Sequence, residues 1–105
     1  MEQPTLDYIN RLSNGDEGIF NTLIGVIKKE FPVERASYDS SVQEKDYRLI
    51  EESVHRLKHK INVFGLEDSY QTANRFEQNL RKNSFELKEE FDEVLTVISN
   101  FIKTL

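Results

Sequence analysis

The stretch Ser53-Val54-His55-Arg56-Leu57-Lys58-His59-Lys60-Ile61-Asn62-Val63-Phe64-Gly65 decides the fold. Its apolar members continue a stripe begun at Ile50: Ile50, Val54, Leu57, Ile61 and Phe64 follow at alternating steps of four and three. That spacing is one face of a helix packed against other helices. At about 100° per residue, His55 points roughly 140° away from the centre of the stripe. The histidine is therefore expected in solvent, with Glu51, Lys58, His59 and Asn62 as its helical neighbours.

The pattern extends in both directions. Leu6, Ile9 and Leu12 predict a short first helix with Thr5 as N-cap, and Ser13-Asn14-Gly15-Asp16 predicts a turn. Ile19, Phe20, Leu23, Ile24, Ile27 and Phe31 are one face of a long helix opening at about Asp16. Pro32 interrupts it, yet Tyr38 and Val42 continue the stripe, so the expectation is one helix kinked near Pro32 and ending around Gln43 to Lys45. Asp46 is suited to cap the His55 helix, which should run to Phe64 and stop at Gly65. Leu66, Tyr70, Ala73, Phe76 and Leu80 mark the next helix. Leu87, Phe91, Val94, Ile98, Phe101 and Leu105 mark the last, with Asn83 or Ser84 as its cap and Asn83 and Glu86 at capping-box spacing. The seven phenylalanines read as core filler, and no strand pattern competes. The fold class expected is all-α: an antiparallel up-down-up-down four-helix bundle with a short N-terminal helix, in a single domain over residues 1–105.

Composition narrows the function classes. The absence of cysteine excludes disulfides and thiolate metal sites and suits a reducing, cytoplasmic setting. No apolar run reaches the roughly 20 residues that cross a bilayer, and the N-terminus lacks the pattern of a secretory signal. A net charge of −5 argues against general nucleic-acid binding. Within this acidic chain, Arg56, Lys58 and Lys60, interleaved with His55 and His59, form a local basic island that could hold one phosphoryl group and face an acidic partner. His55 and His59 are also at a metal-pair spacing. With only Glu51 and Glu52 as generic third ligands, no metal is assigned to them.

The string His55-Arg56-Leu57-Lys58, with the small residue Gly65 ten positions after the histidine, resembles the histidine-containing phosphotransfer family. Length and helix order fit that family along nearly the whole chain. His59 stands where the family usually has glycine. The resemblance implies that the first helix lies across the bundle end like a lid. It further implies that His55 takes and gives a phosphoryl group, exchanging it with the aspartate of response-regulator receiver domains downstream of a hybrid histidine kinase. The magnesium ion and most of the catalysis would then belong to the receiver, and the chain needs no cofactor of its own.

The residues suit that chemistry. An exposed imidazole offers an unprotonated nitrogen near neutral pH. Lys58, one turn on, is placed to offset phosphoryl charge, and Glu51, one turn back, to accept a hydrogen bond from the other ring nitrogen and set the tautomer. Arg56, His59, Asn62, Val63 and Gly65 are expected to join Glu51 in the receiver's footprint, with Gly25 on the long helix allowing close approach. No glycine-rich nucleotide loop is present, so the chain should not phosphorylate itself from ATP. A monomer is expected, and the natural-looking start favours a stand-alone protein. The competing reading is a helical interaction module, or a degenerate phosphotransfer domain, that binds a receiver without carrying phosphate. A hydrolase fits least, since no serine or acid is placed to work with the histidine.

Overall fold

In a computed structural model describing residues 2–105, the chain forms five α-helices: α1 (Asp7–Ser13), α2 (Glu17–Glu44), α3 (Tyr47–Val63), α4 (Glu67–Arg81) and α5 (Lys88–Ile102). No strand occurs among the described residues. α2 packs on α3, α3 on α4, α4 on α5 and α5 back on α2, giving bundle-like packing, and α1 packs on α2. The molecule is 45 Å long, close to the roughly 42 Å of a 28-residue helix such as α2. No helix is long and apolar enough to cross a membrane, among the described residues.

The apolar stripes become the core. Ile50, Val54, Leu57, Ile61 and Phe64 are wholly buried, together with Ala73, Phe76, Phe91 and Ile98. Phe76 and Tyr38 each set a ring against Phe91, and Phe64 meets Phe101 edge-on. Two expectations fail at the edges of the stripes. Leu12 and Ile19 are exposed, and Ile19 shares the outer face of α2 with Val26 and Val33, seven residues apart.

The ends of α2 and α3 follow local chemistry. Asp16 accepts from the Ile19 amide and opens α2, and Asp46 accepts from the amides of Arg48 and Leu49 and opens α3. α2 runs unbroken through Pro32 to Glu44, as its stripe requires. Its second half is tied down from α5: the buried Tyr38 hydroxyl donates to Asp92 at 2.7 Å, and Arg35 donates to the Leu95 carbonyl. Burial, and then that bond to Asp92, push the Tyr38 phenol far above its ordinary range, so it remains a donor. α3 ends at Val63, with Phe64 as C-cap and Gly65 at φ +73°. The Leu66 amide bonds back to Ile61 and the Gly65 amide to Asn62, the paired bonds of a Schellman ending.

Two caps differ from expectation. Thr5 does not cap α1 directly. Leu6 is the N-cap with no side-chain bond, while Thr5 accepts weakly from the Asp7 amide at 3.4 Å. α5 begins at Lys88, later than Asn83 or Ser84 would have it. Asn83 instead takes a left-handed φ of +58° just past the end of α4, so the capping box with Glu86 never forms. Ser84 accepts from the Glu86 amide within the connection, and the Phe85 ring packs on Tyr47. Leu87, expected within the last helix, precedes it at φ +77°, a strained value for a leucine.

Candidate functional site around His55

Burying the α3 stripe turns the opposite side of the helix outward, and the His55 side chain is 63% exposed. The exposure expected from the spacing is therefore present. The surroundings differ from expectation, because both flanks of α3 are stitched to neighbouring helices by ion pairs.

On the α4 flank, the Lys58 side chain is only 11% exposed, and its Nζ lies 2.9 Å from Oε1 of Glu77. The ammonium also sits over the Tyr70 ring, 5.1 Å from its centre. Lys58 is thus no free ammonium beside the imidazole. Its stem lies along the buried flank of the helix, and its head is paired with a carboxylate that is itself almost entirely buried. The same Oε1 lies 3.6 Å from Nδ1 of His55, within ion-pair range but longer than a hydrogen bond. Oε1 has no aligned hydrogen-bond donor, so its attraction to Lys58 is one of charge.

Glu51 does not set the His55 tautomer. Its carboxylate accepts from Arg81 Nε at 2.7 Å, and that bond raises the Arg81 pKa further. A second Arg81 nitrogen reaches to 3.8 Å from Oε2 of Glu77. The carboxylate that faces His55 therefore comes from α4. Sequence reasoning passed over Glu77, although a signal was present: it continues the inward stripe Tyr70, Ala73, Glu77, Leu80 at steps of three and four. An acid on a buried stripe needs a partner, and Lys58 is that partner.

On the α2 flank, Lys60 is buried and pairs with Glu30 at 3.0 Å and Glu34 at 3.1 Å. Burial alone would lower the Lys60 pKa, but the bonds to the two glutamates outweigh it and raise it. With both lysines drawn to carboxylates, the basic island expected from the sequence does not exist as a surface. The groove beside His55 is lined by Arg48, Arg56 and Arg81 against Glu51, Glu52 and Glu77, three cations to three anions.

The remaining expected residues divide. Arg56, His59 and Asn62 are exposed on α3 near His55, and the His59 ring stands edge-on to the His55 ring with centroids 5.6 Å apart. Val63 is half-buried and packs partly on the core rather than standing free. Gly65 is exposed, but its conformation and its crowding explain it: an added Cβ would lie 3.2 Å from Thr5 Oγ1. Gly25 faces open space. Among the described residues, no three His, Cys, Asp or Glu side chains gather as a metal site would need.

Chemically, the arrangement presents a solvated imidazole with a buried carboxylate behind one ring nitrogen and a second imidazole one turn along. Comparison with known proteins found no matching family model, curated protein or solved structure.

Proposed function

We propose that this chain is a phosphorelay phosphocarrier that accepts and donates a phosphoryl group on His55, exchanging it with the aspartate of receiver domains. In this reading α2 to α5 form an antiparallel up-down-up-down four-helix bundle with α1 as its lid, and the bundle holds α3 rigid. One observation carries the proposal: an exposed imidazole on the outer face of a packed helix has its Nδ1 turned toward the buried carboxylate of Glu77. That carboxylate favours a proton on Nδ1 and leaves the Nε2 lone pair as the nucleophile.

In the forward step, Nε2 attacks the phosphorus of a receiver's aspartyl phosphate. The N–P bond forms as the P–O bond breaks, and the aspartate carboxylate leaves with the electron pair. The ring becomes cationic, with Nδ1–H facing Glu77, and the charge gained is opposed by the carboxylate already in place. Transfer to the next receiver reverses the step. Lys58 acts through Glu77 here, holding its carboxylate in position. Receiver domains and a hybrid histidine kinase are the partners of this reading, and any magnesium ion belongs to the receiver.

The balance of three cations and three anions in the groove, with Lys58 already paired, favours the second reading: an interaction module that binds a receiver without carrying phosphate. Incubation with receivers carrying labelled aspartyl phosphate separates the two. Acid-labile label should appear on this chain, vanish in His55→Gln and persist in His59→Gln. No label from any receiver of the same cell leaves the interaction module. Label lost only in His59→Gln moves the acceptor to His59.

A further inference from the structure

We infer that His59 is a phosphoryl-contacting residue whose imidazolium form stabilises phosphate carried on His55. The inference rests on the phosphocarrier reading and concerns which cation meets the charge. A phosphoryl group brings negative oxygens to a solvated surface, where a cation with aligned N–H groups lowers its free energy. The nearby cations are mostly committed. Lys58 is held by Glu77, Arg81 by Glu51, and Lys60 by Glu30 and Glu34 on the opposite flank. Arg56 is the next residue along, about 100° round the helix from His55. His59 is one turn on, exposed, with its ring edge-on at 5.6 Å from that of His55. Phosphate on His55 would extend beyond the ring edge, and a charge-assisted bond from a His59 N–H to one of its oxygens would be about 2.8 Å long.

Imidazole makes this contact conditional. Protonated, it is a cation with two N–H donors; neutral, it has one donor and no charge. The charged side chains that α2 and α4 pair with α3 are Glu30 and Glu34, on Lys60, and Glu77 and Arg81, on the His55 flank. On α3 itself, the His59 ring stands against the His55 ring.

The test bypasses receivers. Phosphoramidate loads histidine directly: the ring nitrogen's lone pair forms the N–P bond while ammonia leaves with the electrons of the P–N bond it breaks. At a fixed ratio of phosphoramidate to ammonium, the ³¹P NMR signal of phosphohistidine, assigned by its absence in His55→Gln, gives loaded His55, and total protein gives the free remainder and hence the ratio. Relative to wild type, His59→Gln should lower that ratio roughly two- to fivefold at pH 6, the range for one exposed charge contact, and the difference should vanish at pH 8.5. His59→Arg should restore loading at both pH values. Equal loading of wild type and His59→Gln at pH 6 overturns the inference, as does failure of His59→Arg to restore it. A protein that loads as described yet exchanges with no receiver defeats the relay reading alone; one that does not load on His55 defeats both.

Discussion

Glu77 is a single acid on an inward-facing stripe, and it joins three functions of its neighbours: it anchors Lys58, faces His55 and approaches Arg81. Replacing it with glutamine keeps the shape and removes the charge. Glu77→Gln should lower unfolding stability by about 1–3 kcal/mol in urea titrations, because Lys58 is left in a nearly dry site without its counter-charge. Lys58→Met should cost less, since its stem still packs and Arg81 remains near Glu77. In the same Glu77→Gln protein, ¹⁵N NMR should show the His55 Nε2–H tautomer gaining over Nδ1–H; an unchanged tautomer would detach Glu77 from the histidine. At this scale the sequence was half legible. The outward direction of His55 follows from the spacing of Ile50, Val54, Leu57, Ile61 and Phe64 alone. That Lys58 turns to Glu77 and Glu51 to Arg81 depends on how α4 is seated against α3, and spacing within one helix does not encode that.

Among the elements, α3 is the best specified. A cap at Asp46, a continuous stripe and a glycine at the end agree with one another, and each stands where local chemistry puts it. Gly65→Ala should destabilise the protein by about 1–2 kcal/mol, because φ +73° strains any residue with a Cβ, and the new methyl would also press on Thr5 at 3.2 Å. Equilibrium denaturation measures it, and a loss near zero would mean the turn relaxes. The start of α5 is the contrasting case. Asn83 and Ser84 are both good N-caps by type, but asparagine is also at ease in the left-handed conformation and is used that way just past α4. Phe85 finds Tyr47 across the connection, and the helix waits until Lys88. A residue with two equally good local uses is decided by tertiary contacts. For α2, the stripe beyond Pro32 was the reliable signal: Tyr38 and Arg35 tie that half to α5.

Across the whole molecule, long-range contacts close the chain in places no periodicity announces. Glu2 accepts from the Ser69 amide at 2.7 Å, supplying the first turn of α4 with the cap that Leu66 lacks. Burial pushes the Glu2 carboxyl up, but the backbone bonds from Ser69 and Asp68 outweigh it and hold it below its ordinary value of 4.5. A carboxyl lowered on folding contributes stability above pH 4.5, and that contribution disappears as pH falls through the folded value. Glu2→Gln should therefore be less stable than wild type at pH 7 and indistinguishable from it at pH 2 in urea unfolding. A gap that persists in acid would assign the effect to packing.

Two further contacts gather at the end of α3. The Thr5 amide bonds to the Phe64 carbonyl, and the Phe64 ring meets Phe101 in the last turn of α5. Thr5 and Phe101 thus lie where α3 finishes, while His55 stands ten residues back from Gly65, about 15 Å along the helix. A surface that approaches the molecule from the Thr5 and Phe101 side leaves the imidazole unshaded, so the protein can be held there for surface-binding work without hiding the group whose reactivity is in question.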